Sequence, residues 1–337
     1  MSDLDRSGAE QRVGLDEIRA AASRIADVVW RTPLLAERFV RLEAAHRIRL
    51  KCENLQRGGA FKLRGAYNFI ELLPEEERSR GVITYSSGNH GRAVALAAHQ
   101  LGIPAAVVVP VDIPGVKLDG IMRLGAEVFH EGTTSVQRKR RAEAVAVERG
   151  MTIVPPFDHR NIIAGQGTVG LEVVEEWPVV QRVIVPVGGG GLLAGVAAAV
   201  RALLPETDVY GVEPSGAASM SRSLEAGRPV ELESVASVAD GLKPVRPGEL
   251  TYLHASALVK GVVAVEDDEI LRALAWCAEE CHLLVEPSGA AGVAAVMSGK
   301  LPGPDVPTAV ILSGGNVDPI SWGQWVREYG NAAAEAA

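Results

Sequence analysis

Val183-Ile184-Val185-Pro186-Val187-Gly188-Gly189-Gly190-Gly191-Leu192-Leu193-Ala194 reads as a β-branched run, four consecutive glycines and an apolar stretch that keeps helical character to Leu204. Strand, glycine turn and helix in that order open a βαβ unit, because two parallel strands can be joined only by a crossover, and a helix is its usual form. The same alternation runs outward on both sides. Strand-like runs at 47–52, 82–85, 105–109, 208–212, 262–265 and 308–312 are separated by stretches of helical period. Near the amino terminus, 15–29 has helical periodicity and is ended by Arg31-Thr32-Pro33-Leu34. The class predicted is α/β, with open parallel sheets that carry helices on both faces. At 337 residues the chain exceeds what one core holds, about 250–300 residues, so two lobes are expected.

Composition excludes several other classes. Hydrophobic residues make up 47% and charged residues 23%, enough for a sizeable core and too apolar for a disordered chain. The net charge is −8, and the basic block Arg138-Lys139-Arg140-Arg141 is expected on a solvated helix face, so nucleic acid is not an expected partner. Cys52, Cys277 and Cys281 are too few and too badly spaced for a disulfide framework or a four-ligand zinc site, which fits a reducing cytoplasm. The polar segment 1–14 lacks a signal pattern, and no run reaches the ~18 apolar residues of a membrane helix. No solenoid-length repeat or low-complexity linker divides the chain, and the alanine-rich 331–337 is expected to fray.

In open α/β sheets ligands gather where strands end and helices begin, and four such places stand out. The first is Lys51-Cys52-Glu53-Asn54-Leu55-Gln56-Arg57-Gly58-Gly59-Ala60-Phe61-Lys62-Leu63-Arg64-Gly65-Ala66. A helix beginning near Ala60 puts Lys62, Ala66, Phe69, Ile70 and Leu73 on one face. A lysine on an apolar stripe, at the positive end of a helix dipole, has its pKa lowered, as an imine-forming amine requires. The alternative is a stem lying on the stripe while its ammonium snorkels to water. The second place is Tyr85-Ser86-Ser87-Gly88-Asn89-His90-Gly91, followed by a helical run. Its amides and hydroxyls suit a carboxylate or another small anion, and Asn89 adds a donor able to reach a phenolic oxygen; an ordinary N-cap and tight turn also fits.

The third place is the glycine run itself, where the absence of Cβ atoms lets amides converge on a phosphate dianion at the helix start. A merely flexible loop is the competing reading. The fourth is Leu312-Ser313-Gly314-Gly315-Asn316, where a hydroxyl can meet a ring nitrogen and the glycines admit a flat cofactor, unless it is a simple strand-ending turn.

Taken together and in this order, these segments resemble the threonine/serine dehydratase family of fold-type-II pyridoxal-phosphate enzymes, with serine racemase and threo-3-hydroxyaspartate dehydratase relatives. The resemblance spans roughly 31–325 and rests on Gly59-Ala60-Phe61-Lys62-Leu63-Arg64-Gly65-Ala66 and Ser86-Ser87-Gly88-Asn89-His90-Gly91. It implies pyridoxal 5'-phosphate held as an imine on Lys62, with Asn89 at its phenolic oxygen and Gly188, Gly189, Gly190, Gly191 and Leu192 around its phosphate. Ser313 would meet the pyridine nitrogen, and Gly241 and Glu286 would flank the ring. Substrate would be bound by Ser86, Ser87, Asn89, His90 and Arg138, the last at a second carboxylate. Lys62 would take the α-proton, and Ser87 would be the opposite-face acid or base that racemisation needs.

The implied activity is β-elimination of water from L-threonine or L-serine to a 2-oxo acid and ammonia; hydroxyaspartate dehydration and serine racemisation are the alternatives. The implied division is a large cofactor-binding domain, 1–69 with 157–337, and a small mobile domain, 70–156, that closes on substrate. The implied assembly is a homodimer or tetramer. Ala60 replaces the serine of many members and favours a substrate other than threonine, whereas Phe157-Asp158 resembles the dehydratase branch. A divalent-cation site of the racemase branch would fall on Glu213, the Ala217 carbonyl and Ser219, where a carboxylate has become a hydroxyl; tight magnesium or calcium binding is not expected. No amino-acid-binding regulatory tail is expected after Trp325.

One pattern points elsewhere. Gly189-Gly190-Gly191-Leu192-Leu193-Ala194 satisfies G-x-G-x-x-A, and Glu213 lies 22 residues beyond Gly191, as in an NAD-dependent oxidoreductase. That reading leaves Lys62, the 86–91 loop and Ser313 without a role. A non-catalytic amino-acid-binding protein on the same fold is the third possibility.

Overall fold

The computed structural model describes residues 11–36, 47–86, 88–113 and 115–330, without the side chains of 116 and 117. Strands β1 (Leu34–Leu35), β2 (Ile48–Cys52), β7 (Arg182–Pro186), β8 (Asp208–Pro214), β9 (Gly261–Val265) and β10 (Thr308–Leu312) form a sheet of order β1-β2-β10-β7-β8-β9. Only its edge pair β1–β2 is antiparallel. Strands β3 (Val82–Thr84), β4 (Ala105–Val109), β5 (Glu127–His130) and β6 (Thr152–Ile153) form a second, fully parallel sheet of order β5-β4-β3-β6.

The seven expected strands are present with ends moved by one or two residues. Three others were not anticipated, for physical reasons. β1 and β6 are two residues long, and β5 is a half-exposed edge strand with Glu127 and His130 at its ends, so none carries an apolar run. The first helix ends at Ile25, four residues short of the expected 29, with 26–29 as turn and bend. Residues 1–10 and 331–337 lie outside the described ones.

Every residue of β7 and β10 is buried, as expected when helices cover both faces of a parallel sheet. Alternate side chains enter different cores. Ile184, Val310 and Leu312 pack with the helices Asp267–Glu279 and Pro287–Met297, whereas Val183, Val185, Ala309 and Ile311 pack with Arg160–Glu176 and Gly191–Leu203. No helix among the described residues is long and apolar enough to cross a membrane. The basic block lies on the helix Ser135–Arg149, with Lys139 and Arg140 exposed.

The helix Arg160–Glu176 is crossed on two sides at glycines. A Cβ at Gly165 would lie 2.6 Å from the Arg64 carbonyl oxygen and from Gly65 Cα, and one at Gly195 would lie 2.5 Å from the Gly167 nitrogen. The helices Lys62–Glu71 and Gly191–Leu203 therefore touch it backbone to backbone, which fixes the Lys62 turn relative to the glycine run. Side chains added at the first crossing must force the helices apart. Gly165→Val is expected to cost about 2–3 kcal/mol, read as a lower urea midpoint. Gly323→Ala, whose Cβ meets nothing within 4 Å, should leave the midpoint unchanged or slightly raised; equal midpoints for the two variants would refute the crossing.

Candidate active site

The segment that leads to Lys62 is bound to the end of β10. Ala60 is extended and bridges Gly314. The Phe61 amide donates to the Ser313 carbonyl at 3.2 Å, and the Gly315 amide donates to the Gly59 carbonyl at 2.9 Å. This pairing delays the helix, which begins at Lys62 rather than near Ala60. Ala66, Phe69 and Ile70 are buried as the stripe requires, and Leu73 lies past the helix end at Glu71. The Lys62 amine donates to the Pro156 carbonyl at 2.7 Å. Burial lowers its pKa from the ordinary lysine value to about 8.

The second loop faces it from the smaller sheet. Gly88 caps the helix Asn89–Leu101, and the Gly88 amide donates to Ser86 Oγ at 3.4 Å. Asn89 Nδ2 donates to Glu286 Oε1 at 2.6 Å, and Asn89 Oδ1 accepts from Asn316 Nδ2 at 2.8 Å. Asn316 also donates to the Gly58 carbonyl and accepts from Arg92. A Cβ on Gly59, which has φ +79°, would fall 2.3 Å from Asn316 Oδ1, and one on Gly314 would fall 2.4 Å from Glu286 Oε1. His90 is buried, with Nε2 donating to the Val154 carbonyl at 3.0 Å; burial, with Lys62 nearby, pushes its pKa down to about 3, so the ring is neutral. Ser87 lies outside the described residues.

The glycine run lies on the Phe157 ring. A Cβ on Gly189 would come within 2.2 Å of that ring, and Gly190, at φ +94°, is backed by Met220 and Thr251. The Thr251 hydroxyl donates to the Gly189 carbonyl at 2.7 Å, which turns that peptide's oxygen into the protein. The helix Gly191–Leu203 follows, and its first-turn amides, including Leu192, have no intrahelical acceptor. Gly188 packs against the Gly241 carbonyl, the Gly241 amide donates to Ser288 Oγ at 2.9 Å, and Ser313 Oγ donates to the Ser288 carbonyl at 3.4 Å. Lys62, Asn89, Gly188–Leu192, Gly241, Glu286 and Ser313 are thus joined through one set of contacts.

Other candidates lie apart from this set. Arg138 donates to the Thr133 carbonyl at 3.2 Å, in the field of Asp112. Glu213 is fully buried, and its two oxygens accept the Met220 and Ser221 amides at 3.1 and 2.9 Å. That carboxylate caps a helix and is not free for a ribose. Together with Ala217 and the buried, unpartnered Ser219 hydroxyl, it offers a single committed carboxylate, a poor fit to a hard divalent cation. Residue patterns missed Pro156, Phe157, Ser288 and Asn316. Asn316 belongs to the 312–316 segment, but its partners are distant in sequence.

An amine of lowered basicity, a Cβ-free turn at a helix start, and a hydroxyl and a carboxylate flanked by glycines are the parts of a fold-type-II pyridoxal-phosphate enzyme. The family model for pyridoxal-phosphate dependent enzymes matches residues 25–314. An L-threonine ammonia-lyase of Thermotoga maritima is 42% identical over 306 residues, covering 91% of this chain and 76% of that protein. An L-threo-3-hydroxyaspartate ammonia-lyase of Saccharomyces cerevisiae is 37% identical over 302 residues, covering 90% and 93%. The structure of maize serine racemase superimposes with a TM-score of 0.89 at 37% identity, covering 96% of this chain and 99% of that one. The chain belongs to the pyridoxal-phosphate-dependent enzyme family, and its cofactor is pyridoxal phosphate.

The residues fit that cofactor by their chemistry: a lysine of lowered basicity for an imine, helix-start amides at 191 and 192 without intrahelical acceptors for a phosphate, and the Ser313 hydroxyl for a ring nitrogen. At about pH 7.5 an amine of pKa about 8 is about one quarter unprotonated, against about 0.1% for an ordinary lysine. Cofactor uptake by cofactor-free protein, followed by absorbance, should therefore accelerate up to about pH 8 and then level. A rate still rising tenfold per unit above pH 9 would show an unperturbed lysine.

Proposed function

We propose that this enzyme removes water from the β-hydroxy amino acids L-threonine and L-serine, releasing a 2-oxo acid and ammonia. The observation that carries the reading is the Lys62 amine, held 2.7 Å from the Pro156 carbonyl at the meeting of the loops and drawn down in pKa to about 8. When bound, pyridoxal phosphate supplies an electron sink for the α-carbon. Lys62 is the residue that would hold the cofactor covalently, and its free amine would take the α-proton. The Gly188–Leu192 amides would hold its phosphate, and the Ser313 hydroxyl would meet the pyridine nitrogen without keeping it protonated. Gly241 and Glu286 flank the ring. Ser86, Asn89 and the helix start at 89 hold the substrate carboxylate, while buried, neutral His90 ties that loop to the 154–156 segment. The sheet of β3 to β6, within 70–156, is the unit that closes on substrate.

One observation favours a second substrate. A cavity of about 230 Å³ borders Pro156 and is lined by Tyr85, Lys139 and Arg246 as well as Asp158. Asp158 is spent on the amides of Glu249, Leu250 and Thr251, while Arg246 pairs with Glu249 and Lys139 lies 3.8 Å from Glu143, both on exposed side chains, so a second carboxylate, as in threo-3-hydroxyaspartate, would bind by exchanging with one of those partners.

Borohydride reduction of the coloured enzyme should fix a pyridoxyl group on Lys62, found by peptide mass spectrometry, and Lys62→Ala should abolish ammonia release. A pyridoxyl group elsewhere would defeat the assignment. Ammonia release from L-serine, L-threonine and threo-3-hydroxyaspartate ranks the substrates; turnover of hydroxyaspartate alone would overturn the threonine/serine reading. Because Glu213 is committed to a helix cap, EDTA should change kcat/KM by less than about twofold, and a loss restored by magnesium would contradict that.

A further inference from the structure

Two residues beyond Lys62, Arg64 is buried completely, and so are Lys51 and Glu53. Arg64 Nε and Nη2 donate to Glu53 Oε2 and Oε1, each at 2.8 Å. Nη1 and Nη2 donate to the two oxygens of Glu172 at 2.6 and 3.0 Å, and Nη1 also donates to Thr168 Oγ1 at 3.0 Å. Lys51 Nζ reaches the same Glu172 at 2.6 Å and the Thr32 carbonyl at 2.7 Å, while Thr32 Oγ1 donates to Glu53 Oε1. Two cations and two anions, with Glu176 a looser third anion 3.6 Å from Lys51, are thereby linked from the end of β2, the first turn of the helix Lys62–Glu71, and the helix Arg160–Glu176.

Such an arrangement is weak evidence for stability. Desolvating each ion costs several kcal/mol, and apolar replacements of similar volume are often as stable. What it offers instead is geometry, because a guanidinium fork accepts two carboxylates only in its own plane. Lys62 and Arg64 leave the same turn on different faces, so fixing the fork fixes the direction of the Lys62 stem. A base that must reach one substrate proton needs placement within about 0.5 Å.

We propose that the Lys51–Glu53–Arg64–Glu172 quartet is a positioning device for the Lys62 amine, holding the first turn of its helix so that the amine stays at Pro156 rather than turning to water. The proposal rests on Lys62 being the cofactor lysine. In the native chain the amine is partly buried beside neutral His90 and the Pro156 carbonyl. Release of that turn exposes it and returns it toward ordinary basicity.

The test is acetylation of Lys62 in cofactor-free protein across a pH series, read by peptide mass spectrometry, for the native chain, Arg64→Lys and Glu172→Gln. Arg64→Lys keeps the charge and loses the fork. Its Lys62 midpoint should rise by about one pH unit, and kcat should fall at least about tenfold with KM changed less than about threefold. Glu172→Gln, at the partly exposed edge of the quartet, should retain the fold and shift in the same direction by less. Folded variants with the native midpoint and native kcat would make the quartet merely structural and overturn the proposal, even if they melt earlier. If borohydride fails to mark Lys62 the functional reading falls; if it marks Lys62 and the midpoints do not move, only the positioning role falls.

Discussion

A guanidinium taken wholly out of water must find an acceptor for each N–H, and the way Arg64 does so sets much of this molecule. Burial opposes its charge, and Glu53 and Glu172 outweigh that, keeping it above its ordinary pKa and Glu53 below its own. Both carboxylates are therefore tied to one turn of helix. Glu53 begins the loop that leaves β2, and Glu172 belongs to the helix that Gly165 and Gly167 bring into backbone contact with its neighbours. Charge satisfaction and close glycine crossings impose the same arrangement, so the lysine turn and the glycine cradle are placed by one helix between them.

The other side of the site depends on polar contacts between the sheets. Asn89, from the helix after β3, reaches Glu286 before a helix of the larger sheet and Asn316 after β10. His90 on the next position reaches Val154, two residues before the carbonyl that holds Lys62. A displacement of the 86–91 loop would thus be transmitted both to Glu286 and to the peptide beside the amine. Coupling through short polar contacts would suit the proposed closing of the smaller sheet, because such contacts exchange with water at less cost than an apolar interface.

The parts legible in the sequence were those that depend on local pattern. Alternating strands and helices gave the class, and glycine after strand located three loops before any contact was known. Lys62 was visible through its helical phase, although pairing of Ala60 with Gly314 moved the helix start by two residues. What stayed hidden was set through space. Pro156 acts through its carbonyl, which every residue has, and Phe157 matters because Gly189 lies on its ring. Lys51, Glu53, Arg64 and Glu172 look like surface charges until β2 and two helices converge. Arg138 had the right type, but its guanidinium turns to Thr133 and Asp112, while its neighbour Lys139 lines the cavity beside Pro156.

These placements also decide which group can carry the proton. A site with several groups titrating near neutrality would divide the proton among them and blur the amine's role. Here burial pushes His90 down to about 3, with the Lys62 charge adding to it, and draws Lys62 to about 8, so the imidazole is neutral where the amine titrates. The imidazole is a neutral donor to Val154, and under the proposed reading the amine is the exchangeable base. A neutral histidine also adds no repulsion to a protonated lysine, so a proton gained by Lys62 would not be opposed from that side. In the proposed role, desolvation would both activate Lys62 and remove its nearest competitor, an outcome that requires the buried imidazole and the partly buried amine to lie side by side and not merely to occur in the same motif set.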